Sequence, residues 1–127
     1  MSDLPYQYVT LRCVPRVERE EFVNVGVVLY CQATEDLLCA HEVHPERVRA
    51  LDPGVDLDAL ERSLGHIGAL CRDEADRADL TRLGARFGWI AAPRSTVLQP
   101  SPRHGGLTRD PRAEVRRLLA ALVTPPT

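Results

Sequence analysis

Phe22–Cys31 reads FVNVGVVLYC, and how that stretch is interpreted decides the fold. Only Asn24 and Gly26 interrupt a run of β-branched, aliphatic and aromatic residues, with no polar–apolar alternation. Such a run belongs to a central strand that is apolar on both faces. Gly26 inside it marks a bulge or the close approach of another backbone. Upstream, Tyr6–Val14 does alternate: Val9, Leu11 and Cys13 share one face, Tyr8, Thr10 and Arg12 the other, and Pro15 stops the strand. The charged connection Arg16–Glu21 between the two favours an antiparallel hairpin. Downstream, Leu37–Val43 follows a polar turn at Thr34–Asp36 as a third strand, which makes a meander.

Beyond the meander the period changes. Pro45 opens a short helix that ends before Pro53, and Asp56 caps a longer one with Leu57, Leu60, Leu64, Ile67 and Leu70 as its apolar stripe. Arg72–Asp79 reads as a charged linker or fraying helix end. Phe87–Ala91 and Thr96–Gln99 read as two further short strands, and Gln99–Thr108, with two prolines and two glycines, as a loop. Asp110 then caps a last helix bearing Val115, Leu118, Leu119 and Leu122, with Arg112, Arg116 and Arg117 on its other side. Strands first and helices later predict an α+β domain: a mainly antiparallel sheet of three to five strands with two or three helices packed on one face. The 127 residues suit a single domain, 1–127, with an ordered core over about 6–123.

Composition narrows the function classes. Hydrophobic and charged residues stand at 44% and 27%, globular values that argue against disorder. No stretch approaches the roughly 20 apolar residues of a membrane span. MSDLPYQY lacks the basic start and apolar run of a signal peptide, so a cytoplasmic protein with Cys13, Cys31, Cys39 and Cys71 as thiols is expected. All 16 basic residues are arginine, and residues 94–127 are net basic while 1–93 are net acidic. A net charge of −2 with 5% aromatic residues disfavours a nucleic-acid binder. The cysteines lack CxxC spacing, and no phosphate-loop or dinucleotide motif occurs, so neither a metal nor a cofactor is expected.

Two polar interruptions in apolar surroundings are the candidate site. Arg94–Gly106 supplies a forked donor (Arg94), hydroxyls (Ser95, Thr96), an amide (Gln99) and an imidazole (His104). The junction of the first two strands supplies Glu21 and Asn24, and a sheet can bring the two segments together. The chain ordering EFVNVGVVLYC (Glu21–Cys31), ALDP (Ala50–Pro53), RFGW (Arg86–Trp89) and APRSTVLQPSP followed by His104, Gly106 and Leu107 resembles the bacterial family called domain of unknown function 3037. The resemblance runs from about Tyr6 to Val123, and it implies that Glu21, Asn24, Arg94, Ser95, Thr96, Gln99 and His104 are motif residues. Glu20, Arg103 and Gly105 depart from the residues that the resemblance leads one to expect. It further implies a two-protein system with a HipA-like kinase as partner. The expected function is therefore a non-catalytic binding or partner module with an exposed apolar patch near the last helix or the edge strands. The alternative is a small enzyme acting on a phosphate-containing substrate: His104 as acid/base, Arg94 and Ser95 holding the anion, Glu21 orienting the imidazole.

Overall fold

The computed structural model describes residues 2–74, 77 and 79–126. Strand β1 (Leu4–Cys13) pairs antiparallel with β2 (Val23–Cys31) through a short 3-10 turn at Val17–Arg19, and β2 pairs antiparallel with β3 (Asp36–His41). The outer edge of β1 is shared by two short strands that return late in the chain. Strand β4 (Leu98–Pro100) lies opposite Leu11–Cys13, and β5 (His104–Thr108) lies opposite Leu4–Tyr8. Helices α1 (Pro45–Leu51), α2 (Leu57–Cys71), α3 (Leu83–Ala91) and α4 (Pro111–Leu122) complete an α+β fold on a five-stranded antiparallel sheet. Asp56 and Asp110 cap α2 and α4 by accepting from the amides of Ala59 and Ala113. Among the described residues no helix is long and apolar enough to cross a membrane.

The fold class is the one the sequence predicts, but the helices are four, and they are not confined to one face. Val9, Leu11, Cys13, Val28 and Leu37 pack against Val48 of α1, Leu60, Leu64 and Ile67 of α2, and Phe87 and Ile90 of α3. The alternate residues Tyr6, Val27, Leu29 and Cys31 pack against Val115 and Leu118 of α4. The reason lies in β2 itself: Val25, Val27, Val28 and Leu29 are all fully buried, so both faces of that strand need a cover.

Two segments depart from the sequence reading. Phe87–Ala91 is not a strand but the end of α3, whose buried Phe87, Ile90 and Ala91 follow helical spacing from Leu83. Gln99–Thr108 is not a loop throughout: its second half is β5, which carries no apolar period because an edge strand pairs through its backbone alone. Pro100 and Pro102 cannot donate to the ladder, so Ser101 stands in. Its amide donates to Thr10 O at 2.8 Å, and its buried hydroxyl accepts from Thr10 N at 2.9 Å. Ala75, Asp76 and Ala78 of the expected charged linker lie outside the described residues.

Gly26 answers to both of its expected roles. The β1–β2 register shifts beside it, at Leu11/Arg12, and a Cβ on Gly26 would come within 3.1 Å of Ala40 O and His41 Cβ. Gly106 answers to a closer constraint. A Cβ there would stand 2.6 Å from the Tyr6 hydroxyl, because the Tyr6 ring lies across this cross-strand glycine.

Candidate functional site

The chain from Ala92 to Pro100 leaves α3 and enters β4, and cavities open on both sides of it. The larger, about 500 Å³, is a groove between α2, α3 and β4. Leu11, Ile67, Ile90 and Leu98 line its apolar part. Ala59, Arg62, Ser63 and His66 are spaced i, i+3, i+4 and i+7, so they form one stripe of α2 facing the groove. Trp89 lies on the α3 wall with the His66 ring edge-on at 6.3 Å. Arg94 and the exposed Val97 belong to the segment that enters β4.

Arg94 is held firmly. Its guanidinium lies 4.4 Å from the centre of the Trp89 ring and donates to the carbonyls of Trp89 and Ala92 at the end of α3. Burial lowers its pKa, yet an arginine keeps its charge. Thr96 and Gln99 shape the same segment: Thr96 Oγ1 donates to Leu98 O at 2.7 Å, and Gln99 Nε2 donates to Thr96 O at 2.7 Å. The groove therefore carries Arg62, His66 and Arg94 on its walls, and among the described residues no aspartate or glutamate lines it.

On the other side of β4, a pocket of about 250 Å³ is lined by Arg12, Val17, Glu20, Phe22, Ser95 and Gln99, among others. Cross-strand register puts Asn24, Arg12 and Gln99 in one row across β2, β1 and β4. The Arg12 guanidinium lies 4.1 Å from the centre of the Phe22 ring, and Asn24 Nδ2 donates to Leu122 O at the end of α4. Arg12 Nε and Asn24 Oδ1 are buried without a hydrogen-bond partner among the described residues.

The two predicted segments thus meet, through Ser95, Gln99 and Asn24 but not through Glu21, Arg94 or His104. Ser95 and Gln99 approach the β1–β2 junction, where Glu20 and Phe22 receive them. Glu21 instead faces solvent and pairs with Arg19 at 2.5 Å, which holds its carboxyl below the usual range. His104 is exposed, its ring tilted against that of Tyr8 with the centres 5.2 Å apart. Tyr8 is four residues from Arg12 along β1, which sets His104 roughly 13 Å from Gln99's position on the same face. Arg94 lies toward the groove on the opposite face. The arrangement in which Glu21 orients His104 beside Arg94 is not formed. Arg103 does not crowd His104 either; its guanidinium lies 5.2 Å from the centre of the Phe87 ring.

Sequence reasoning missed Arg12, Arg62, Ser63, His66 and Trp89. A signal existed for the α2 residues, a second stripe at helical spacing beside the apolar one. None existed for Arg12, whose neighbours Asn24 and Gln99 are distant in the chain and become adjacent only through strand register. The apolar stripe of α4 is spent on the sheet, with Val115 and Leu118 buried and Leu119 and Leu122 half-buried. The exposed large apolar residues among those described are Phe22, Val97 and Leu107. Phe22 precedes β2, Val97 precedes β4 and Leu107 lies in β5 opposite Pro5, so these exposed residues are spread along the sheet and do not make the single patch expected near the last helix or the edge strands.

Comparison with known proteins gives one family. Residues 8–123 match the family model described as a protein of unknown function, DUF3037, so the chain belongs to that family. No curated protein and no solved structure matches it.

Proposed function

We propose that this chain is a non-catalytic binding module of the cytoplasm, whose groove between α2, α3 and β4 takes an apolar side chain of a protein partner flanked by acidic groups. One observation carries the reading: an apolar concavity whose charged lining residues, Arg62 and Arg94, are both basic, with His66 beside them. The chain as a whole is net negative at −2, so this local basic surface departs from the average. Apolar burial supplies affinity, and the basic rim steers and orients an acidic partner. The HipA-like kinase that the family resemblance implies is the first partner to test. The alternative, a phosphate-ester enzyme, relies on His104, Glu21 and Arg94 together, so their separation favours the binding module.

Trp89 is the only tryptophan of the chain and lies on the groove wall, so its fluorescence reports occupancy. Titration with acidic peptides that carry one leucine or phenylalanine, and with the kinase, should shift Trp89 emission. Arg62→Glu should weaken binding about tenfold, with the loss shrinking at high salt. Binding that leaves Trp89 emission unchanged, or that Arg62→Glu does not weaken, rules out the groove.

A further inference from the structure

The smaller pocket, between β4 and the β1–β2 junction, is built around an arginine that the fold leaves open. Arg12 stands in one cross-strand row with Asn24 and Gln99, and its guanidinium lies 4.1 Å from the centre of the Phe22 ring. Phe22 is an exposed aromatic, and its face holds the guanidinium at the pocket wall. Arg12 Nε is buried without a hydrogen-bond partner among the described residues, as is Asn24 Oδ1 across the row. Buried donors and acceptors are ordinarily paired, and an arginine left with an open fork beside a pocket suits an acceptor on a ligand.

The rest of the lining supplies groups of both kinds. Ser95 offers a hydroxyl. Gln99 donates through Nε2 to Thr96 O at 2.7 Å, which fixes its amide and leaves Oε1 as an acceptor. Glu20 brings a carboxylate, and neither nearby arginine neutralises it: Arg16 reaches Asp52 at 3.7 Å, and Arg19 binds Glu21 at 2.5 Å. Glu20 also has a φ of 57°, in the left-handed region that favours glycine. A charged side chain held in that conformation beside a pocket is strain stored at a binding site.

We propose that this pocket binds a free amino acid. Arg12, with the Ser95 hydroxyl, takes the carboxylate, and Glu20, with Gln99 Oε1, takes the ammonium. A forked guanidinium matches the two oxygens of a carboxylate. A phosphate dianion would set its second charge against Glu20, and a simple amine would leave Arg12 without a partner. The cavity, about 250 Å³, is smaller than the roughly 300–1,000 Å³ of sites for drug-sized molecules, so its ligand is small. Val17 and Phe22 add an apolar wall, which suits an aliphatic side chain on that amino acid. The proposal does not depend on what the groove between α2 and α3 binds.

The test uses the full chain, labelled with heavy nitrogen, and NMR spectra of its amide and guanidinium groups. Alanine, valine, leucine and the other common amino acids are titrated singly. The deaminated and decarboxylated analogues of the tightest binder follow, then inorganic phosphate. At least one amino acid should shift the Arg12 Nε–H and Gln99 side-chain signals, and each analogue should bind at least about tenfold more weakly. Arg12→Lys keeps the charge but loses the fork, so it should weaken the amino acid and its deaminated analogue alike, by about tenfold. Glu20→Gly suits the φ of 57° and so preserves the fold. It should reduce the amino acid to the affinity of its deaminated analogue and leave that analogue's own affinity unchanged. That comparison decides the matter even where Arg12→Lys fails to fold. Shifts confined to other residues, phosphate binding more tightly than every amino acid, or equal weakening of amino acid and analogue by Glu20→Gly overturns the assignment.

Discussion

The two faces of the sheet are covered by different means, and the difference underlies the proposed docking groove. On the α4 face Glu114, Arg117 and Arg112 find partners within the chain. The Tyr6 hydroxyl donates to Glu114, and Arg117 donates to the same carboxylate at 2.7 and 2.8 Å. Arg112 reaches Asp36 at 3.9 Å, and the helix lies flat on Val27, Leu29 and Cys31. On the α2–α3 face the helices leave a concavity beside β4. Arg62 lines it without an ion-pair partner among the described residues, and Arg94 is anchored through backbone carbonyls instead of a carboxylate. A face that closes on itself holds the fold, and a face that leaves cations around an apolar hollow is free to meet a partner.

The comparison breaks most readily at Gly106. Valine there would drive the Tyr6 ring off its position over the strand and away from Glu114. We expect a loss of about 3 kcal/mol in denaturant unfolding. Retained stability would show that the ring yields freely and that the α4 face is less closely fitted than described.

Tyr6→Phe is a gentler cut, removing only the hydroxyl that donates to a carboxylate, and should cost about 1.5 kcal/mol. It also has a pH signature. Burial, then Glu114, raise the Tyr6 pKa to about 12, so its contribution is complete below the ordinary tyrosine value of about 10 and is lost as pH rises toward 12. The chain has no lysine to titrate across that window. Glu114 acts at the other end: Arg117 first and Tyr6 next lower its pKa, so its contribution is present above the ordinary carboxylate value and disappears as pH falls through the folded one. Thermal midpoints of wild type and Tyr6→Phe should therefore converge between about pH 10 and 12. A constant gap across that range removes the hydroxyl–carboxylate link from the account.

On the groove face the same measurements should barely respond. Arg62 is exposed and has no ion-pair partner among the described residues, so Arg62→Glu should change stability by less than about 0.5 kcal/mol while altering binding. A loss of several kcal/mol would mean that the groove rim is structural. The smallest effect has the opposite sign. Nothing lies within 4 Å of a Cβ placed on Gly65, in the middle of α2. Gly65→Ala should then raise stability by about 0.5–1 kcal/mol in thermal unfolding, and a loss would show that the α2 surface is more crowded there than the coordinates give it.

Much of this was legible in the chain because it depends on neighbours in sequence. Alternation in β1, the apolar run of β2, Gly26 beside a register shift, and the Asp56 and Asp110 caps are all local patterns, and each occupies its expected place. The same run in β2 also implied a cover on both faces, an implication that the one-sided packing expected from element order overlooked. Strand β5 left no local signal, since HGGLT pairs through its backbone. The tail of α3 was obscured by Gly84 and Gly88, which weaken a helical pattern that Leu83, Phe87 and Ile90 otherwise keep.

The sequence alone determined the α+β class, the central strand, the capped helices and the presence of two polar segments, because propensity and periodicity act within a few residues. Only the tertiary structure decided which polar residues meet. Strand register, not chain distance, set Arg12 between Asn24 and Gln99. It also set His104 beside Tyr8, while Arg94, which precedes β4, is held on the groove side by Trp89 and the end of α3. The meeting of α2 with Trp89 around one hollow likewise depends on how helices settle on a sheet. That packing minimises exposed apolar area over the whole chain, and no local stretch of sequence encodes it.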